Sequence, residues 1–262
     1  MQSKWISRGR CPCGESKNGY NIHADGHAFC FSCQKRFNNV GEAKMETKVV
    51  DIQERVQVNG EYGSIQDRRI SEPTARKYRT KIKRNGSMIT HHYYEYYNVE
   101  GSHVATKIRQ VEGKRIWSQG DIGDALLFGQ NLFKSGGKYI TIVEGEIDAM
   151  SVYEMLGSKW AVVSIKNGVQ SAVQNCKQHL EYLNSFENVV VCFDADKPGV
   201  EASQKVAQLF EPNKCKIVRL DHKDPNEYLK IGKAKEFVQD WWSAESYTPA
   251  GIVNLAKLRD AL

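Results

Sequence analysis

Four cysteines near the N-terminus and several carboxylates that follow short apolar runs are the residues of this chain whose types and spacing suit chemistry. Cys11, Cys13, Cys30 and Cys33 are arranged as C-x-C, a 16-residue gap, then C-x-x-C. Two tight knuckles of this kind supply the four thiolates of a tetrahedral zinc site. A module so poor in apolar residues takes its folding free energy from the metal. The first knuckle, RCPCG, is one residue shorter than the usual C-x-x-C. His23 and His27 lie in the gap as alternative ligands, so a four-cysteine site and a mixed cysteine–histidine site both stay open. The other three cysteines, Cys176, Cys192 and Cys215, are scattered through apolar segments and read as small buried residues. An odd total with four clustered argues for metal rather than disulfides.

The carboxylates fall in three groups. Glu144 directly follows YITIV in VEGEIDAM, Asp194 and Asp196 follow NVVVCF in DADKPG, and Asp224 lies in HKDPNEY. Carboxylates gathered in one crevice repel each other unless cations neutralise them. Hard divalent ions such as magnesium or manganese, two of them, are therefore expected between Glu144, Asp194 and Asp196. Such a pair activates a 3′-hydroxyl and stabilises a departing pyrophosphate. Gly145 and Gly199 permit close turns beside these acids. Glu146 and Asp148 divide evenly between helix capping and function.

The elements that must position these groups follow from the apolar pattern. Tyr139–Val143, Trp160–Ile165, Asn188–Phe193 and Cys215–Leu220 read as strands. GEIDAMSVYEML, VQSAVQNCKQHLEYL and GVEASQKVAQLF read as the helices between them, and residues 233–243 as a last amphipathic helix. Strand–helix alternation implies an α/β fold with a mainly parallel sheet flanked by helices and right-handed crossovers. Open sheets of this kind place their ligands at the carboxyl ends of the strands, where Glu144, Asp194 and Asp196 sit. Residues 61–118 carry twelve Lys and Arg against six Asp and Glu, an excess equal to the +6 net charge of the whole chain. That basic α+β segment should open with a helix over 71–79, capped by Ser71, and continue as strands around 88–98 and 103–109. HHYYEYYN, from His91 to Asn98, offers aromatics for base stacking, although a strand packing alternate tyrosines inward is the plainer use. The expected divisions are a zinc ribbon at 1–40, a polar linker at 41–58, a basic subdomain at 59–135, a catalytic subdomain at 136–243 and a C-terminal linker at 244–262.

With 262 residues, 40% hydrophobic and 26% charged, the composition excludes a disordered or fibrous chain. There is no run of 18 apolar residues and no secretory signal, so a soluble protein of the cytoplasm, without membrane contact, is expected.

VEGEIDAM and VCFDADKPG resemble the two motifs of the Toprim fold, shared by bacterial-type primases, topoisomerases and some nucleases. With the zinc ribbon ahead of them, and with DGHAFCFSC, GDALLFG, GGKYITIVEGEIDAM and HKDPNEYL, nearly the whole chain resembles the primase half of the phage primase–helicase family. The resemblance implies a DNA-directed RNA primase that copies a short recognition sequence on single-stranded DNA. Its partners would be ribonucleoside triphosphates, the RNA primer, a replicative helicase and a DNA polymerase, in the cytoplasm of a phage-infected host. Glu144 would act in activating the primer-end hydroxyl, Asp194 and Asp196 would hold magnesium, and Asp224 would assist. The two basic positions that contact the nucleotides or the primer in the family fall on Lys107 and Lys114, with Arg109 and Arg115 beside them; a solvated basic face is the alternative for these four. The segment SIKNGVQSA, with Lys166 and Asn167, and Lys197 next to the DxD motif would also face nucleotide or DNA. No G-x-x-x-x-G-K-[ST] occurs, so no P-loop motor is encoded here. The chain is thus expected to be either a primase fragment or a primase separate from its helicase, with 249–262 docking on the helicase. A Toprim nuclease, or a zinc-ribbon adaptor without activity, is the alternative.

Overall fold

A computed structural model of the chain describes residues 5–9, 20–23, 27–30, 35–37 and 60–247. The chain divides into two units, Met1–Val50 and Asp51–Leu262.

In the first unit, β1 (Trp5–Gly9), β2 (Tyr20–His23), β3 (Ala28–Cys30) and β4 (Arg36–Phe37) form an antiparallel sheet in that order. Tyr20, Ala28 and Cys30 are buried, with Ile22 and Phe37 against them. Cys30 pairs with Tyr20 across β2–β3, and the His23 and His27 rings stack at 4.3 Å. Cys11, Cys13 and Cys33 lie outside the described residues.

The second unit begins with α1 (Glu72–Lys77), followed by an antiparallel sheet of β5 (Thr80–Asn85), β6 (Met88–Tyr97), β7 (His103–Gln110) and β8 (Ile116–Gly120), ordered β5-β6-β7-β8. Strands β5 and β8 give little signal in the sequence: the alternation of β5 rests on Thr80 and Ile82 alone, and all five residues of β8 are exposed. Ser71 occupies the cap position of α1 but makes no bond to the helix N–H groups; its hydroxyl donates to Thr74 Oγ1 at 3.2 Å instead. Alternate tyrosines of β6, Tyr94 and Tyr96, pack into the core, and Tyr93 and Tyr97 lie on the strand's other face outside that cluster. Tyr93, Tyr94, Tyr96 and Tyr97 are all buried, because both faces of this central strand are covered.

Then comes a five-stranded sheet built from β9 (Gly137–Val143), α2 (Glu146–Met155), β10 (Ala161–Ser164), α3 (Ala172–Gln178), α4 (Leu180–Asn184), β11 (Phe186–Cys192), α5 (Lys197–Ala207), β12 (Cys215–Ile217), α6 (Pro225–Lys230), α7 (Ala234–Trp242) and β13 (Glu245–Ser246). The order is β10-β9-β11-β12-β13, with β9–β12 parallel and β13 antiparallel to β12. Both faces are buried, which explains the continuous apolar runs. Val189 and Val191 point to the core that includes Val206 and Phe210, while Val190 and Cys192 point to the core that includes Met150 and Phe237. That second core also takes in Ile82, Tyr94 and Tyr96, so the two sheets share it. Thr141, a hydroxyl inside this strand stack, accepts a bond from Trp241 Nε1 at 3.1 Å.

Two sequence expectations need correction. The helix expected over 169–183 is broken at His179 (φ −114°, ψ 20°) into α3 and α4. Glu245 and Ser246, expected in the C-terminal linker at 244–262, instead form β13 at the edge of the sheet. Among the described residues no helix is long and apolar enough to cross a membrane.

Candidate functional site

The strand order fixes where a ligand belongs. From β9 the chain crosses to β10 on one side and then returns to β11 on the other, so the order reverses between β9 and β11. At such a switch point the two crossover connections diverge and leave a crevice outside the carboxyl ends of the strands. Glu144 follows β9 directly and Asp194 comes two residues after β11, so these carboxylates flank that crevice. Glu144 Oε1 accepts the backbone N–H of Asp194 at 3.1 Å, tying the two strand ends together.

The remaining acids enter from helix starts. Asp196 caps α5 by accepting Gly199 N–H at 2.9 Å, and Asp224 caps α6 by accepting Glu227 N–H at 2.8 Å. Asp148, in the first turn of α2, accepts the Asn226 N–H at 3.3 Å. Capping and membership of the cluster are thus combined in the same side chains. Two glycines make the approach possible. A Cβ on Gly145 would lie 2.8 Å from Asp148 Oδ2, and one on Gly199 would lie 2.2 Å from the Asp194 carbonyl and 2.9 Å from Glu144 Oε1. Gly199→Ala should therefore cost about 2 kcal/mol through forced displacement of the Asp194 backbone, read as a lower Tm. A variant as stable as the parent would show that the 194–199 turn yields freely.

The electrostatics are those of a site short of positive charge. Burial, then Glu144, Asp224 and Asp196, pushes the Asp194 carboxyl up to about 7. Burial raises Asp148 well above the usual carboxylate range, helped by Asp194 and Asp224. Glu144 is raised by burial, and by Asp196 against the opposing bond from Asp194 N–H. Asp194 Oδ1 is buried with no hydrogen-bond partner. A buried, unpartnered carboxylate oxygen among other carboxylates fits a hard cation, because every available donor is an oxygen bearing negative charge. As they stand, no three of the described His, Cys, Asp and Glu side chains converge closely enough to enclose one ion. Beside Asp194 a cavity of 560 Å³ opens between α5, β12 and β13, lined by Phe193, Ser203, Arg219 and Tyr247 among others. That volume suits a nucleotide-sized ligand.

The basic residues named from the sequence take up different positions. Lys107, on β7, reaches the carboxyl edge of the five-stranded sheet. Its Nζ donates to Glu146 Oε1, which also accepts the Tyr96 hydroxyl, and to the carbonyl of Lys166. Glu146 is therefore bound to the basic sheet and stands apart from the other acids. Lys166 does not project into the crevice. It is 2% exposed, and its ammonium donates to the carbonyls of Gly123 and Ala125 at 2.8 and 2.7 Å and to Gln178 Oε1 at 3.2 Å. The apolar strand β10 carries it inward, and the loop 123–125 supplies oxygens in place of water. Arg109 is half-buried, and its Nε has no partner. Lys114, Arg115, Asn167 and Lys197 are exposed, with Lys197 3.9 Å from Glu201.

Comparison with known proteins covers most of the chain. A Toprim-like family matches residues 141–229. The DNA helicase/primase of Enterobacteria phage T3 is 32% identical over 262 residues, which is 95% of this chain and 45% of that protein. The chain spans less than half the length of the curated relatives it matches. The crystal structure of the primase fragment of the bacteriophage T7 primase-helicase matches with TM-score 0.65 and 29% identity, over 90% of this chain and 99% of that one. A second bacteriophage T7 structure holds primase domains with a lagging-strand DNA polymerase, an RNA/DNA hybrid and dTTP. It matches with TM-score 0.65 and 32% identity over 72% of this chain and 95% of that one.

Proposed function

Because this chain belongs to the primase family of bacteriophage T7 and its relatives, we propose that it is a DNA-directed RNA primase, joining ribonucleotides into a short RNA primer on single-stranded DNA. The observation that carries this reading is the convergence of Glu144 and Asp194 on the switch-point crevice, with Asp194 Oδ1 buried and unpartnered. Glu144, Asp194 and Asp196 would hold two magnesium ions, with Asp148 and Asp224 alongside. Bound there, magnesium would lower the pKa of the primer 3′-hydroxyl and neutralise the departing pyrophosphate.

The chain's own residues do the rest. The bond from the Asp194 backbone N–H to Glu144 holds the Glu144 carboxylate at the Asp194 strand end before any substrate arrives, which lessens the reorganisation needed at the moment of reaction. Arg109, Lys114 and Arg115 supply cations for nucleotide phosphates or the template backbone. Lys107 sets one wall of the crevice through Glu146 and the Lys166 carbonyl. In the first unit, Cys11, Cys13, Cys30 and Cys33 would hold one structural zinc. The support is the donor set itself, four thiols at C-x-C and C-x-x-C spacing. That ribbon would select the template sequence. A helicase would be one partner and a DNA polymerase another, the latter as in the phage T7 structure of primase domains with a lagging-strand DNA polymerase.

The test is synthesis on a library of short single-stranded templates with labelled ribonucleotides and magnesium, with Asp194→Ala run in parallel. Short RNA products absent from the variant are expected, and the productive templates give the recognition sequence. No product from the parent chain, even with its cognate helicase present, would overturn the assignment. DNA cleavage in magnesium without nucleotides would replace it with a nuclease.

A further inference from the structure

Asn226, near the start of α6, is 2% exposed and touches three separate parts of the second unit. Its Nδ2 donates to the Arg68 carbonyl and to Ser151 Oγ, both at 2.9 Å, and its Oδ1 accepts Arg68 Nη1 at 3.5 Å. Its backbone N–H donates to Asp148 Oδ1, and two residues earlier Asp224 caps the same helix. Arg68 forms an ion pair with Asp67, its Nε 3.4 Å from Oδ2 without a hydrogen bond, and Asp67 Oδ1 is 3.3 Å from Nε2 of the fully buried His92 on β6. A continuous polar chain thus runs from the basic sheet, through Asp67, Arg68 and Asn226, to the acidic crevice.

We propose that Asn226 is a positioning residue for the divalent-cation site, holding Asp148 and Asp224 at the crevice against their repulsion from Asp194. Building on the primase reading, the inference goes beyond it by making cation affinity depend on a neutral side chain that touches no cation. Three carboxylates that repel each other drift apart unless the backbone carrying them is fixed; in α6 the buried Tyr228 anchors the helix in the core, and Asn226 ties its first turn, beside Asp224, to Arg68 and Ser151. The asparagine amide suits the task because donor and acceptor sit on one planar group. Nδ2 satisfies two oxygens on different elements while Oδ1 faces a guanidinium. A glutamine is too long for so enclosed a position, and an alanine leaves the Arg68 carbonyl and Ser151 without this donor.

Direct binding of Mn²⁺ to the full chain, followed by electron paramagnetic resonance without nucleotide or DNA, tests it with Asn226→Ala. A thermal melt in EDTA fixes a temperature at which the variant is fully folded, and the titration is run below it. Outer-shell partners of metal ligands typically govern affinity by 10–100-fold, so Mn²⁺ binding about 10-fold weaker is expected. The magnesium needed for half-maximal primer synthesis should rise by the same factor, with the rate at saturating magnesium within about 2-fold of the parent. An unchanged Mn²⁺ affinity overturns the proposal, whatever happens to stability or rate. A parent chain that makes primers but binds no Mn²⁺ without substrates also overturns it, and leaves the primase assignment standing.

Discussion

Asp194→Asn should abolish primer synthesis and, in the same molecule, stabilise the metal-free fold above pH 7. The first effect follows from the crevice: an amide oxygen in place of the unpartnered Oδ1 offers a cation far less charge. A loss of about 4 kcal/mol in transition-state stabilisation lowers the rate roughly 10³-fold. The second effect follows from linkage. The folded Asp194 titrates at about 7 against an ordinary 3.8, so the folded state favours the protonated carboxyl. Whatever stability that proton preserves is complete below about pH 4 and is lost as pH rises through 7, because the carboxyl must then ionise among Glu144, Asp224 and Asp196. Asparagine mimics the protonated form at every pH. The variant's advantage should therefore open between pH 4 and 7 and stay level above. The rise from 3.8 to about 7 corresponds to about 4 kcal/mol at full burial, and solvent screening at this partly open site reduces the expectation to about 2 kcal/mol. Melting curves in EDTA from pH 4 to pH 9 read it. A gap that does not depend on pH, or a variant less stable at pH 8, would dispose of the argument. Adding magnesium should raise the Tm of the parent more than that of the variant, because only the parent binds it well.

Such an outcome would mean that the site holds its carboxylates in an arrangement the empty fold resists. It explains why so much of the crevice is legible in the sequence. Glu144, Asp194 and Asp196 sit at the ends of apolar strands, and a β-run that stops at an acid can be read without knowing the fold. The wiring between distant segments is not legible in this way. Asn226 and Arg68 meet across 158 residues of sequence, and no local pattern marks either of them. Glu146 reads as one more acid in a helix turn, yet its partners are Tyr96 and Lys107 on the other sheet. The family resemblance of SIKNGVQSA implies that Lys166 faces nucleotide, but its position just after a buried strand turns its ammonium onto the 123–125 carbonyls. Strand β8 is hidden because all five of its residues are exposed, and β5 because its alternation rests on Thr80 and Ile82 alone among charged neighbours.

The pair between Lys107 and Glu146 gives the other large expectation. Both side chains are almost fully enclosed, at 12% and 10% exposure, where water cannot replace a lost partner. Lys107→Met would leave the Glu146 carboxylate with the Tyr96 hydroxyl as its remaining donor. Burial and Glu146 itself hold Tyr96 firmly in its protonated form, so that donor persists but brings no charge. Breaking one side of a buried ion pair costs about 3 kcal/mol, and Lys107→Met should cost that much in denaturant unfolding. Glu146→Gln should also destabilise, because the ammonium then keeps only the neutral amide and the Lys166 carbonyl. In the double variant neither charge is stranded, so the two losses should fall short of their sum by about 2 kcal/mol. Single variants that each cost under about 0.5 kcal/mol would show that the pair is solvated and does not bind the two sheets together. Primer synthesis then separates two roles for Lys107. If the double variant regains stability and synthesis together, the lysine acts only by fixing the wall of the crevice. Synthesis that stays lost while the fold recovers would mean that the same ammonium also leaves Glu146 to meet a nucleotide phosphate, exchanging one anion for another as substrate enters.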